Sequence, residues 1–412
     1  MKILALPYSH TLSHLSRPLL LAKELRKRGY EVVFGAESPK VVFIRDEGFD
    51  VLPIYEPEPD ILFGNIRAGK IRFVSDAELD RMIEADISLY KMVQPGLVLT
   101  DGRFTAPIST HMAGLRHVAV VNVSSTEYRA LPYVPFFEWI PTRFVGRETR
   151  LWGSLSALNL KIEMKVFDGV MKTFTELSRK YALSKPVTAT NCLAGKDLTL
   201  LADVPEYFPA RNLPVDYHYI GPLTWESKAP PPPWWPPKTG SNPLIYLTMG
   251  TTGIRDFFEL TCELVQRSNV TAIITTGAQV DQIDAIDGKI YVEPFMNGDL
   301  VMEECDLVVC HGGNGTIYQA LSHGKPIVGI PTIPDQKFNM RRVEALGVGH
   351  TLSWKSFFAN PAVLLDAIQS LLANPAFAAN ACRMQSILKN FQGAKAGADI
   401  IENFVVDSFR PS

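Results

Sequence analysis

The sequence predicts an α/β protein of two doubly wound, Rossmann-like domains, and three observations carry that expectation. Short apolar runs alternate with amphipathic helical stretches along most of the chain, the pattern of successive βαβ units. A length of 412 residues exceeds what one ordinary core holds. A proline run, Ala229-Pro230-Pro231-Pro232-Pro233-Trp234-Trp235-Pro236-Pro237, breaks the alternation near the middle.

The first unit is the clearest. Residues 2–6 form a short apolar run suited to a buried parallel strand. A polar loop follows over 8–14, and then Leu15, Leu19, Ala22 and Leu25 recur at helical spacing with Lys23, Arg26 and Lys27 facing out. Basic residues in the last turn complement the helix dipole, and Gly29 stops the helix. Residues 31–35 supply the next strand. Further strands read at 50–54, 96–100 and 117–122, with an amphipathic helix over 77–93. Between 128 and 174 aromatic residues crowd together (Tyr133, Phe136, Phe137, Trp139, Phe144, Trp152), which fits either a core insertion or the wall of an apolar binding cleft. The proline run favours an extended polyproline conformation and reads as a semi-rigid linker. A second series opens beyond it: strand 244–249, a tight loop at Gly250-Thr251-Thr252-Gly253, helix 255–266, and strands at 270–275, 289–292, 306–310 and 326–330.

Composition narrows the function classes. The apolar fraction of 46% and charged fraction of 20% are those of ordinary soluble domains. A net charge of −2 argues against a nucleic-acid partner, which calls for a basic surface. Five cysteines without repeated spacing make neither a disulfide framework nor a zinc box. The N-terminus turns polar too early for a signal peptide, and no uninterrupted apolar run is long enough to span a membrane. The expectation is a soluble, cytoplasmic protein.

Chemistry concentrates at Cys310-His311-Gly312-Gly313-Asn314-Gly315-Thr316, after the strand 306–310 and before a helix expected over 317–323. Glycines let backbone approach a ligand closely, and the unpaired N–H groups of a helix's first turn favour an anion; a diphosphate suits the site best. Thr316 offers a hydroxyl and His311 a ring donor. The plainer alternative is a tight βα turn with an incidental histidine. One βα unit later, Pro334-Asp335-Gln336 follows the strand 326–330, at the strand ends where open α/β sheets bind ligands. A carboxylate that accepts and an amide that does both are what sugar hydroxyls need.

These residues, with Ala320-Leu321, Gly324-Lys325-Pro326 and Asn339, resemble the donor signature of the UDP-glycosyltransferase superfamily, inverting enzymes of GT-B fold. The two glycines after His311 are closer to the bacterial macrolide and antibiotic glycosyltransferases. The resemblance extends to His14, Arg17-Pro18, Leu21-Ala22, Leu25 and 28–32, and to 246–251. It implies two domains facing each other across a cleft: an acceptor-binding domain (1–222), the proline-rich linker (223–243), a donor-binding domain (244–392) and a C-terminal helix (393–412) that packs back on the first domain. It implies that His311 and the backbone of Gly313, Asn314, Gly315 and Thr316 hold the donor diphosphate, which the helix end and His311 neutralise as it leaves. Asp335 and Gln336 would hold the sugar, Phe295 and Met296 cradle the base, and Thr251 and Thr252 touch the phosphates. Gln319 stands where plant relatives place a glutamate for the ribose hydroxyls, which leaves both UDP- and TDP-sugars open as donors.

The same resemblance puts His14 in the catalytic-base position and Asp101 in that of its carboxylate partner. An inverting transfer needs a base for the acceptor hydroxyl, and a histidine oriented by a carboxylate suits it. The alternatives are a satisfied loop or helix-cap histidine at His14, with His10 as a rival base, and a helix N-cap at Asp101. The implied activity is a metal-independent hexosyltransferase acting on a hydroxyl of a small, largely apolar acceptor (natural product, phenol, macrolide or lipid), with the nucleotide sugar as co-substrate and no cofactor. Three alternatives remain: a nucleotide-sugar epimerase, peripheral contact with a membrane through the aromatic segment to reach a lipid acceptor, and a non-catalytic nucleotide-sugar-binding partner of another transferase.

Overall fold

A computed structural model describes residues 1–59, 62, 64–65, 72–134, 150–225, 229–250, 255–277 and 283–407. The chain divides into two compact units, Met1–Leu223 with Phe391–Ser412, and Thr224–Asn390. Each is a parallel sheet flanked by helices, so the expected class of two doubly wound α/β domains holds.

In the first unit the described strands are β1 (Lys2–Pro7), β2 (Glu31–Gly35), β3 (Asp50–Leu52), β4 (Leu97–Asp101), β5 (His117–Val121), β6 (Leu198–Leu201) and β7 (Tyr217–Tyr219). They lie in the order β3-β2-β1-β4-β5-β6-β7. The chain winds outward from β1 to β3 and then crosses to β4 on the other side of β1. The gap between β1 and β4 is thus a topological switch point, where such sheets leave a crevice at their carboxyl ends. The register sets Pro7 beside Asp101, and the Tyr8 N–H donates to the Asp101 carbonyl at 2.7 Å. Strands β6 and β7 were not expected; both are short, and neither alternates clearly.

The helix after β1 runs Leu12–Lys27, so the polar loop ends at Thr11 rather than at His14. Leu15, Leu19, Leu21, Ala22 and Leu25 are buried against the sheet, and Gly29 at φ 85° turns the chain toward β2. Pro18 lacks the N–H that would bond the His14 carbonyl, which loosens the turn carrying His14. The C-terminal helix Gly393–Asp407 packs on this one: Ala398, Ile401 and Val405 join its core, and Arg28 pairs with Asp399 at 2.6 Å and Glu402 at 3.0 Å. Of the aromatic stretch, Phe167 stacks on Phe73 and Phe174 meets Phe104 edge-on, so this end is core. Phe136, Phe137, Trp139 and Phe144 lie outside the described residues.

The second unit holds β8 (Leu244–Thr248), β9 (Thr271–Thr275), β10 (Ile290–Glu293), β11 (Leu307–Cys310), β12 (Ile327–Gly329) and β13 (Gly349–Thr351) in the order β10-β9-β8-β11-β12-β13. The winding repeats, and its switch point falls between β8 and β11. Described residues of the proline segment are anchored on this unit: the Trp234 indole N–H donates to Glu293 at 2.8 Å, and its ring lies 4.6 Å from that of Tyr291. Among the described residues no helix is long and apolar enough to cross a membrane.

Candidate active site

In the first unit, residues at the β1/β4 switch point assemble around Asp101. His14 and Arg17 are three apart on the helix Leu12–Lys27, hence on one face of it. The His14 Nδ1 lies 2.6 Å from Asp101 Oδ1. The Arg17 Nε donates to Asp101 Oδ2 at 2.6 Å and its Nη2 to Oδ1 at 2.7 Å, a bidentate fork on a carboxylate that is 1% exposed. Arg17 Nη1 donates to the Asn122 amide oxygen at 2.6 Å, and the Asn122 amide nitrogen to Asp203 Oδ1 at 3.1 Å. Asp203 also accepts the Val123 N–H at 2.6 Å. The helix Leu12–Lys27 and the ends of β4, β5 and β6 are thus tied into one chain of charge-assisted hydrogen bonds.

The distances fix the working tautomer. A ring nitrogen 2.6 Å from a carboxylate must carry the proton, so Nδ1–H donates to Asp101 and a neutral ring leaves Nε2 with its lone pair. The Arg17 Nη2 contact to Nδ1 at 3.2 Å is then donor against donor, a geometric consequence of both groups gripping one oxygen. Gly102 makes this packing feasible: at φ 80° it takes the left-handed turn, and a Cβ there would sit 2.8 Å from Tyr8 Cβ and 3.3 Å from His14 Cγ. Asp101 is therefore not a helix cap; the next helix begins at Ala106 with Thr105 before it. His10 has no carboxylate partner among the described residues, and its carbonyl is held by Lys40. The loop leading to His14 is fixed by Glu56, whose carboxylate accepts the Ser9 N–H and hydroxyl, both at 2.6 Å.

In the second unit the loop after β11 lies at the β8/β11 switch point. The helix behind it begins at Asn314, three residues earlier than the sequence suggested, with Gly313 as N-cap. The first backbone helix bond is Ile317 N–H to Gly313 carbonyl at 3.1 Å, so Asn314, Gly315 and Thr316 make up the first turn, whose N–H groups point out of the helix end. The glycines have separate duties. A Cβ on Gly250 would lie 2.8 Å from the His311 ring, and one on Gly313 would overlap it; both are glycine to make room for the imidazole. Gly312 at φ 85° turns the chain. Gly315 alone faces open space, with nothing within 4 Å of its would-be Cβ, and is the place where backbone can meet a ligand closely.

The remaining expected residues differ in burial and in the partners they already hold. Burial pushes the His311 pKa down to about 4, which favours a neutral ring that offers a hydrogen bond. Its Nδ1 is buried without a partner. Gln336 is 3% exposed in the first turn of helix Pro334–Ala345, not in a loop, and its amide oxygen accepts from Thr332 N–H, Thr332 hydroxyl and Ile333 N–H at 2.8–3.3 Å. Only its amide nitrogen is left for a sugar. Met296 is buried at 8% exposure while Phe295 is 41% exposed, so Phe295 alone presents its side chain. Gln319 packs against Gly298, at the start of the helix that follows Phe295 and Met296. Asp335 and Asn339 share a contact at 3.4 Å, and Asn339 also donates to the Gly312 carbonyl at 3.0 Å, tying the Asp335 helix to the His311 loop. Thr251 and Thr252 lie outside the described residues. Cys310 stays protonated, its thiol pushed up to about 12 by burial. Among the described residues no group of three His, Cys, Asp or Glu could hold a metal ion.

Arg17, Asn122 and Asp203 are the site residues that sequence reading did not assign. The i, i+3 spacing of His14 and Arg17 was the available signal, but it needs the helix to start at Leu12.

Comparison with known proteins agrees with this architecture. The family model described as erythromycin biosynthesis protein CIII-like, C-terminal domain, matches residues 263–390. The PGL/p-HBAD biosynthesis rhamnosyltransferase of Mycobacterium bovis is 30% identical over 353 residues, covering 84% of this chain and 76% of that protein. The PGL/p-HBAD biosynthesis glycosyltransferase of Mycobacterium tuberculosis is 28% identical over 388 residues, covering 93% and 87%. Among solved structures, the calicheamicin glycosyltransferase superposes with a TM-score of 0.71 at 17% identity, covering 99% of both chains. The spinosyn rhamnosyltransferase does so with 0.69 at 18%, covering 98% of this chain and 100% of that one.

Proposed function

This chain belongs to the GT-B glycosyltransferases of the bacterial macrolide and antibiotic type, and from that premise we propose that it transfers a hexosyl group, with inversion, from a UDP- or TDP-sugar to a hydroxyl of an apolar acceptor. The observation that carries the catalytic part is the His14–Asp101 contact of 2.6 Å at the β1/β4 switch point. His14 Nε2 takes the acceptor hydroxyl proton as the oxygen attacks the anomeric carbon. The bond from that carbon to the diphosphate oxygen breaks, and the diphosphate leaves with its electron pair. The proton ends on His14, whose imidazolium Asp101 stabilises through Nδ1–H; Arg17 holds Asp101 in place.

The leaving diphosphate is met by the N–H groups of Asn314, Gly315 and Thr316 and the partial positive charge of their helix end, with His311 donating a neutral hydrogen bond. Phe295 meets the base on the nucleotide side, and Thr251 and Thr252 are the residues the family resemblance assigns to the phosphates. Asp335 and the Gln336 amide nitrogen face the sugar, and Gln319 faces the ribose. This chemistry needs no metal and no cofactor beyond the nucleotide sugar. The rhamnosyltransferase names of relatives make a 6-deoxyhexose the first sugar to try.

The test is a transfer screen read by mass spectrometry, with UDP- and TDP-hexoses, rhamnose included, against phenol, macrolide and lipid acceptors. A mass gain of one hexosyl or deoxyhexosyl unit, dependent on both substrates, is expected. Interconversion of the donor sugar without transfer would favour an epimerase instead, and nucleotide binding without either reaction would favour a non-catalytic partner.

A further inference from the structure

The helix Arg150–Val170 has two faces of different character. One packs inward, through Leu160, Asn159 and Phe167. Its acids are tied inward as well: Glu163 accepts from Arg129, Tyr133 N–H and Val134 N–H, and Asp168 from the Thr190 N–H and hydroxyl. The other face carries Leu151, Leu158, Ile162, Val166 and Val170, each between 38% and 58% exposed. At 100° per residue the first four fall within an arc of about 80°. From Leu151 to Val166 that arc runs about 22 Å along a helix of 21 residues. Isolated exposed apolar residues are ordinary, but a continuous stripe of this length is not.

Two lysines border the stripe. Lys165 and Lys161 lie along one edge of it, both are exposed, and neither forms an ion pair among the described residues. The outward side of the helix is therefore apolar with a basic margin, while its carboxylates are spent on the protein interior. An apolar band beside unpaired lysines is complementary in both charge and hydropathy to the interface of an anionic bilayer. We propose that this face docks peripherally on an anionic lipid surface, with the apolar stripe at the acyl boundary and Lys161 and Lys165 at the headgroups. The protein needs no spanning helix for this, and no described helix could serve as one. The inference stands apart from the sugar chemistry, though it would bring the enzyme to where a lipid-linked acceptor resides.

The experiment is sedimentation of the full chain with vesicles of phosphatidylcholine alone or with about one-third phosphatidylglycerol. Binding to the anionic vesicles only, weakened by salt, is expected. Ile162→Glu with Val166→Glu should abolish it, and Lys161→Glu with Lys165→Glu should weaken it at least about tenfold. Transfer to a soluble phenol is measured in parallel on the same variants and should be unchanged. No sedimentation of the wild type, or equal sedimentation of wild type and the Ile162/Val166 variant, overturns the proposal. Loss of transfer to the soluble phenol in that variant overturns it too, since the stripe would then be the wall of the acceptor site. Vesicle binding without any transfer by the wild type would overturn the proposed function and leave this inference intact.

Discussion

Arg17 grips Asp101 by both carboxylate oxygens, Nε to Oδ2 at 2.6 Å and Nη2 to Oδ1 at 2.7 Å, while His14 Nδ1 shares Oδ1 at 2.6 Å. The carboxylate cannot rotate without breaking two charge-assisted bonds, so the imidazole it orients cannot rotate either.

Arg17 is thus a positioning residue, and its substitution should act on turnover. Arg17→Ala should lower kcat about 10- to 100-fold with little change in the donor KM, because the proposed nucleotide site uses residues of the second unit. Arg17→Lys keeps the charge without the fork and should recover only part of the loss. The Ala variant also leaves Asp101 buried and short of a partner, which costs on the order of 3 kcal/mol of stability. Steady-state kinetics beside thermal unfolding separate the two effects. An unchanged kcat in a stably folded Arg17→Ala protein would remove Arg17 from the mechanism.

The glycines of the second unit give a paired prediction. Gly313→Ala drives a methyl into the His311 ring, so the protein should melt lower and lose the rise in melting temperature that UDP or TDP gives. Gly315→Ala meets no atom within 4 Å and sits in a helix, where alanine is favoured by up to about 1 kcal/mol; the free protein should be as stable or more so. Its nucleotide response should still fall, since the methyl occupies the space where the diphosphate approaches. Full nucleotide stabilisation in both variants would move the anion site elsewhere.

Acid should destabilise the fold through two buried histidines. His117 is fully buried, its Nε2 2.8 Å from the Thr100 hydroxyl and its Nδ1 accepting the Lys196 N–H, and burial, with Lys196 nearby, lowers its pKa to about 3. His311 is lowered to about 4 by burial. For both, the folded form binds the proton less well than the unfolded chain, whose histidines titrate near 6.5. Stability is therefore complete above about pH 6.5 and falls as pH drops toward the folded values, by up to about 1.4 kcal/mol per pH unit for each ring. Urea unfolding between pH 7 and 4 should show that slope, and His117→Gln should flatten it. An identical slope in wild type and His117→Gln would mean that His117 is not held neutral.

The fold was legible because its signals are local. Buried parallel strands are short apolar runs, and helix Arg255–Gln266 was read with its observed ends. Strands β6 and β7 were missed because three or four residues give no period to detect. In the candidate site the loop 310–316 was visible as a motif, but its glycines looked uniform; that Gly313 makes room for His311 together with Gly250, in the loop after β8 and distant in sequence, is a matter of tertiary contact. Gln336 looked like a free amide because its capping of Thr332 and Ile333 is a matter of side-chain geometry. The Arg17–Asn122–Asp203 chain joins the first helix to the ends of β5 and β6 across separations of 105 and 81 residues, and only the sheet order brings them together.

The most direct test of the account is the turnover of His14→Ala with a productive donor and acceptor pair, beside its UDP- or TDP-induced rise in melting temperature. With His14 as the proposed base in one unit and the proposed diphosphate site in the other, kcat should fall about 10²- to 10⁴-fold with the nucleotide response intact. A His14→Ala protein that transfers sugar at the wild-type rate would contradict it.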